Sequence, residues 1–397
     1  MIGAPRAALA GMAALALGMG IGRFAYTPLL PALMQETGLS LQVAGYLASA
    51  NFAGYLIGAL ASMRLPRARR RTAFVTAIAL SVLTTLSMAV LTQPWPLALS
   101  RLLSGAASAF LMVQGSAMVL DVLTAHRRPQ LFAALYAGVG AGIALTALAI
   151  EILSRAGVPG ATAWAALGAL SALLAIPALG LSDAGLSVTR PPDSASASQP
   201  PAAARAKALR ALTLAYGGLG FGYVITATFI VVMVRSRADW RAWEMMVWCL
   251  VGLAAVPSNW LWQRAARRFG PWRAMIAAYL LEAFGVAVAA AGQHLVLVML
   301  GAALLGGTFM AITALGLTTA RSLTDTDSAR VVGRMTAAFG LGQILGPAAG
   351  GWLAEHSGSF IAPSALAGAV LVASALLLAV AARRLADQTG GAIVGLR

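Results

Sequence analysis

Three ionisable side chains stand inside long apolar stretches of this chain: Arg23, Arg101 and Glu282. Placing an arginine at the centre of a membrane helix costs about 2.5–3.5 kcal/mol on insertion scales, so each of these residues calls for a reason. Arg23 lies in GMGIGRFAYTPLLP, residues 18–31. Its guanidinium suits an anionic group of a solute or a proton-carrying partner; the competing reading is a side chain that snorkels outward or pairs structurally. Arg101 enters about 9 Å below the near end of its stretch and Arg23 about 12 Å below Pro31, at 1.5 Å per residue. The two can therefore share one layer, where paired positive charges would attract a carboxylate or phosphate. Arg101 can equally tune a proton site or snorkel. Glu282 is the one acid at mid-stretch depth. It is a proton-carrier candidate, against the plainer reading of a hydrogen-bonded structural glutamate. Tyr26, Asn51, Tyr55, Gln114, Tyr216, Tyr223 and Gln343 supply uncharged polar groups, some to bond a solute and some only to tie helices together.

Other chemistries find no support. No G-x4-GK[ST] phosphate loop occurs, so an ATP-driven pump is not expected, and Gly18 and Gly22 read as a small-residue packing face. His126, His294 and His356 lack metal-ligand spacing. No nucleophile constellation is present, so neither an enzyme nor a bound cofactor or metal is expected.

The elements that must hold these residues follow from composition. Of 397 residues, 60% are hydrophobic and only 10% charged, too few for the polar skin of a soluble protein of this length. Stretches of the roughly 20 apolar residues that span a bilayer occur twelve times. They lie near 7–34, 41–63, 72–91, 95–123, 130–154, 158–182, 207–234, 241–263, 273–292, 294–322, 329–356 and 359–382. Without period-two alternation they must be helices. With the N-terminus on the cytoplasmic side, the inner segments collect 22 of the 28 Lys and Arg residues. That bias predicts an inner-membrane protein with both termini in the cytoplasm. It also assigns the net charge of +16 to loops facing anionic lipid rather than nucleic acid. Trp243, Trp260 and Trp272 near stretch ends read as interface anchors.

Residues 183–206, DAGLSVTRPPDSASASQPPAAARA, form no apolar run and read as a flexible cytoplasmic linker. It divides a unit at 1–182 from one at 207–397, with six spans each. Gly18, Gly20 and Gly22 recur as Gly218, Gly220 and Gly222; LLSGA at 102–106 recurs as LLGGT at 304–308; Gly138 and Gly140 recur as Gly340 and Gly342. Nearly constant offsets, in order, predict a duplicated six-helix unit with its solute site between the copies near the midplane.

Several motifs resemble those of the major facilitator superfamily. Gly333, Gly342, Gly346, Pro347, Gly350 and Gly351 form G-x8-G-x3-G-P-x2-G-G, similar to a glycine-proline motif best known in span 5 of its antiporters but placed here in span 11. Leu97-x3-Arg101-x2-Ser104-Gly105 resembles the span-4 arginine motif. GALASMRLPRARRR, from Gly58 to Arg71, resembles the loop 2–3 motif, with Ser62 where an Asp is usual and Leu65 where a Gly is usual. Gly22-Arg23-Phe24-Ala25-Tyr26-Thr27-Pro28, followed by Ala44-Gly45-Tyr46 and Asn51-Phe52-Ala53-Gly54-Tyr55, resembles the YbfB/YjiJ-type bacterial branch.

The resemblance implies an all-α fold of two six-helix bundles, with spans 1, 4, 7 and 10 lining a central cavity that Arg23 faces. It also places Asp121 near the Arg64–Arg71 cluster, as a salt-bridge latch or as a helix-end acid solvated with Arg127 and Arg128. Tyr26, Asn51, Gln114, Tyr223 and Gln343 join Arg23 as candidate solute ligands. Arg101, Asp121 and Glu282 are candidates for proton coupling or gating, and Gly342, Gly346, Pro347 and Gly350 for helix packing. The expected activity is proton-coupled secondary transport of a small organic anion by a monomer rocking between two states. The alternative is proton-coupled efflux of neutral or cationic lipophilic compounds.

Overall fold

The computed structural model describes residues 3–128, 131–183, 201–291, 294–324 and 328–389. Its regular elements are all helical among these residues. A membrane interior has no water to bond stray N–H and C=O groups, and a helix satisfies them within its own segment.

The first stretch is not one helix. α1 (Ala4–Leu15) widens into a π-helical segment (Ala16–Ile21), and residues 22–25 turn before α2 (Tyr26–Thr37). Then follow α3 (Leu41–Met63), α4 (Arg70–Ser87), α5 (Pro94–Ala125), α6 (Phe132–Arg155) and α7 (Gly160–Leu179). The second part comprises α8 (Ala202–Arg235), α9 (Glu244–Phe269), α10 (Pro271–Ala291), α11 (Leu295–Ser322), α12 (Ser328–Ser357) and α13 (Ile361–Thr389). Local chemistry sets several ends. Ser40 caps α3 by accepting from Val43 N–H at 3.3 Å. Pro94 opens α5, where its missing N–H costs nothing. Gly38 closes α2 at φ 71°, a conformation that suits glycine.

Ten helical stretches among the described residues are long and apolar enough to cross a membrane. Of the twelve expected, α4 and α12 fall below that measure: α4 opens on Arg70 and Arg71, and α12 carries Arg334, Gln343 and Glu355. The expected linker at 183–206 lies mostly outside the described residues, and α8 already begins at Ala202. Trp243 and Trp260 are exposed, but Trp272 is only 2% exposed. It is therefore a packing residue of α10 rather than an interface anchor.

Small residues decide which helices meet. α3 packs on α5 and α12, α6 on α9, and α12 on α8. A methyl group on Gly58 would sit 2.6 Å from the Ala106 carbonyl oxygen, and one on Gly140 would sit 2.6 Å from that of Gly252. Without Cβ atoms at such points the backbones approach closely, which is how apolar helices gain contact in a medium as apolar as themselves. In α12, Gly342 seats on Gly217 and Phe221, Gly346 on Phe221 and Val224, and Gly350 on Ile225 of α8, while the Pro347 carbonyl abuts Gly45 of α3. The α3–α12 and α6–α9 seams join the part before residue 183 to the part after residue 201.

Candidate functional site

The break in the first stretch has a cause in the sequence. Pro28 lacks the N–H that would bond the Phe24 carbonyl, and its ring crowds that carbonyl, whereas Pro31 is accommodated inside α2. The glycines at 18, 20 and 22 let the backbone widen instead: Gly22 N–H bonds the Leu17 carbonyl at 2.9 Å and Phe24 N–H that of Met19 at 3.0 Å, each five residues back. Such π-segments often mark functional sites.

The carbonyls released at this break are caught by α5. Arg101 donates from Nη1 to Gly22 O at 3.1 Å and from Nη2 to Arg23 O at 3.0 Å. Ser104 Oγ donates to Gly22 O at 2.7 Å. The Arg101 guanidinium also lies 4.6 Å from the centre of the Tyr26 ring and is 3% exposed. Asn51 Nδ2 bonds the Arg101 carbonyl at 2.8 Å, and the Tyr26 hydroxyl bonds the Ala44 carbonyl at 2.8 Å. Arg101 therefore clamps backbone next to Arg23 with two of its three nitrogens, while its Nε has no hydrogen-bond partner among the described residues. Tyr26 and Asn51 spend their donors on the same framework.

Arg23 itself is 4% exposed. Its Cζ lies 4.2 Å from the Tyr55 ring centre, 4.5 Å from that of Phe52 and 5.5 Å from that of Phe24. Aromatic faces stabilise a desolvated cation. They accept no conventional hydrogen bond, and Nε and Nη2 have no hydrogen-bond partner among the described residues. Those two nitrogens form one edge of the guanidinium, the edge that matches the two oxygens of a carboxylate.

The rings continue into the second part of the chain. Phe24 meets Trp248 at 6.4 Å and Phe309 edge-on at 6.0 Å. Phe309 stacks on Tyr223 at 5.4 Å, and Tyr223 stacks on Phe339 at 6.0 Å. Gln343 Nε2 donates to the Tyr223 hydroxyl at 2.5 Å, leaving Gln343 Oε1 without a partner. Arg23, Tyr223 and Gln343 thus belong to one centre, built from α3, α8, α9, α11, α12 and the break after the π-segment.

The other candidates lie elsewhere. Gln114 is 13 residues along α5 from Arg101, about 20 Å away, and donates to Ser62 O at 2.9 Å and Ser62 Oγ at 2.8 Å. Ser62 here replaces the expected acid and still ties α3 to α5. Asp121 Oδ2 stands 3.8 Å from Arg70 Nη1, near that same end. Glu282, 0% exposed on α10, accepts a hydrogen bond from Thr308 Oγ1 of α11, and its Oε1 has no partner. Thr308 immediately precedes Phe309 of the ring cluster.

Phe24, Phe52, Trp248, Phe309 and Phe339 were not among the sequence candidates. A phenylalanine in an all-apolar helix gives no phase signal. The available hints were that Phe24 follows the buried arginine and that Phe24 and Phe52 stand in the segments resembling the YbfB/YjiJ-type branch.

Residues 15–379 match the family described as "Uncharacterised MFS-type transporter YbfB". No curated protein matches the chain by sequence. Among solved structures, a point-mutant form of the nucleoside transporter NupG superposes with a TM-score of 0.72 at 14% identity, covering 94% of this chain and 99% of that one. A second NupG crystal structure gives 0.70 at 15%, covering 94% and 98%. These likenesses establish a shared fold across nearly the whole of each chain. With the family match spanning almost all of the sequence, the protein is a membrane transporter and not an enzyme: it belongs to the YbfB-type family of the major facilitator superfamily.

Proposed function

We propose that the protein moves a small organic anion across the bacterial inner membrane by alternating access. In this reading residues 1–182 and 207–397 are two six-helix units, twelve crossings in all, joined by a cytoplasmic segment at 183–206. Both termini face the cytoplasm, anionic lipid meets the basic inner loops, and the monomer is the working unit. The observation that carries the reading is the Arg23 guanidinium: 4% exposed, at the seam of the two units, with Nε and Nη2 unpartnered. A buried cation with idle donors is unfavourable until an anion completes it.

The arrangement of the seams supports rocking. Thr27 Oγ1 bonds the Ala227 carbonyl at 2.6 Å, Ser49 Oγ that of Ile344 at 2.6 Å, and Arg235 Nη2 bonds Gln35 Oε1 at 2.8 Å. Gln42 N–H bonds Glu355 Oε2 at 2.7 Å. These ties take their first partner from α2 and the outer half of α3. Toward the Arg64–Arg71 end, Tyr55, Tyr136 and Thr313 are only half-buried. Glue on one side with half-exposed polar groups on the other is what an inward-facing state requires, and breaking the glue would reverse it. Glu282 serves as the proton site in this scheme, acting through Thr308 on the ring cluster. Asp121 and Arg70 form a contact remade in each cycle.

A second reading is transport of a neutral planar solute, favoured by the stacked Tyr223 and by the fold shared with a nucleoside transporter. Thermal stability of the purified protein against acetate, phosphate, nucleosides and lipophilic cations, in wild type and Arg23→Gln, separates the readings. Stabilisation by an anion that disappears in Arg23→Gln supports the anion site. Stabilisation by neutral or cationic solutes that survives the substitution overturns it.

A further inference from the structure

We infer that the solute is an aromatic monocarboxylate, a flat ring bearing one carboxylate; this rests on the anion reading above. Two features of the centre carry the inference. The first is charge. Arg101 sits in the same layer, but its Nη1 and Nη2 are committed to the carbonyls of Gly22 and Arg23. Arg101 Nε also lacks a partner among the described residues, but a lone N–H offers a single bond, whereas the Arg23 edge of Nε and Nη2 offers the paired donors that fit one carboxylate. A phosphate dianion or a dicarboxylate would need a second two-nitrogen edge for its further oxygens, and Arg101, with Nη1 and Nη2 spent on backbone, does not offer one.

The second is shape. The neighbours of that guanidinium are rings: Phe52 and Tyr55 lie against it, and Phe24, Phe309 and Tyr223 follow in edge-on and stacked contact. Ring faces with a negative quadrupole favour another ring, edge-on or offset, by about 0.5–1.5 kcal/mol per pair beyond the area buried. A saturated ring or an alkyl chain of the same size gains the area alone. Tyr55 is half-buried while Phe24 and Phe52 are buried, so the solute ring reaches the cluster from the Tyr55 side.

The test measures binding of matched probes to the full-length protein in detergent, by calorimetry and by melting temperature. Benzoate and cyclohexanecarboxylate share charge and size but differ in the ring. Benzamide keeps the ring and loses the charge, and acetate keeps only the charge. Benzoate is expected to bind about two- to tenfold more tightly than cyclohexanecarboxylate. Arg23→Gln abolishes that binding, and Phe309→Leu weakens benzoate more than cyclohexanecarboxylate, narrowing the gap between the two probes. Equal binding of the two carboxylates through Arg23, or binding of acetate without benzoate, overturns the aromatic assignment and leaves the anion reading standing. Benzamide binding as well as benzoate, in wild type and Arg23→Gln alike, overturns both. The wild-type comparison needs no variant to fold.

Discussion

Arg101→Lys is the sharpest test of how this site is built. The wild-type guanidinium bridges two carbonyls, Gly22 O at 3.1 Å and Arg23 O at 3.0 Å, with its face on Tyr26. A lysine keeps the charge but offers one compact ammonium rather than a planar fork, so it satisfies one carbonyl. Gly22 O retains Ser104 Oγ at 2.7 Å, so the carbonyl at risk is that of Arg23. Side-chain hydrogen bonds between membrane helices average about 0.6 kcal/mol, and charge-assisted bonds are roughly twice as strong. Arg101→Lys should therefore cost ~1 kcal/mol of stability, and Arg101→Gln, which loses both bonds and the charge, about 2–3 kcal/mol. The functional loss should exceed the loss of stability. A carbonyl released at Arg23 lets the anion-binding edge drift, and misplacement by ~1 Å can cost a hundredfold in a positioned site. The assay pairs denaturant unfolding in mixed micelles with solute binding for both variants. A clamp predicts graded destabilisation, Lys before Gln, with binding impaired in both. If Arg101→Lys is as stable as wild type and loses binding alone, Arg101 contacts the solute and the clamp argument fails.

Further outcomes follow from other contacts. Gly140→Val drives side-chain atoms into the Gly252 carbonyl oxygen, which a Cβ at residue 140 would already approach to 2.6 Å, and should cost about 1–3 kcal/mol, read as a lower unfolding midpoint; an unchanged midpoint refutes the tight α6–α9 seam. Glu282→Gln keeps the Thr308 contact while removing the ionisable group, so proteoliposome uptake should lose its dependence on a pH gradient with solute binding intact; uptake that still follows the gradient rules Glu282 out as the proton site. Glu355→Ala removes the acceptor for Gln42 N–H, so spin-label distances between the ends of α3 and α12 should lengthen; unchanged distances show that this tie does not hold the closed side. Gln343→Leu frees the Tyr223 hydroxyl and should weaken solute binding more than it lowers the melting temperature, whereas the reverse order would make the pair structural.

Composition along the chain was enough to read the medium, the helical class and the positions of most apolar stretches, though it counted twelve where ten among the described residues are long and apolar enough to cross a membrane. It also picked out Arg23, since a charge in an apolar stretch stands out wherever its helix faces. Direction around the helix axis was not legible. These helices are apolar on all sides, so no hydrophobic face marks what points inward. That is why nothing in the sequence marks Trp248, Phe309 and Phe339 as facing inward, why Gln114 groups by residue type with a centre about 20 Å away, and why Trp272 reads as a lipid-interface residue although it packs inside. Arg101 shows the limit most clearly. Its depth beside Arg23 was readable from residue counts, but its partners exist only because the first stretch widens into a π-segment and turns at residues 22–25, leaving the Gly22 and Arg23 carbonyls for a side chain to bond. Local sequence made that break possible; the packing of α5 against it decided that an arginine at the depth of Arg23 would hold backbone with two of its three nitrogens.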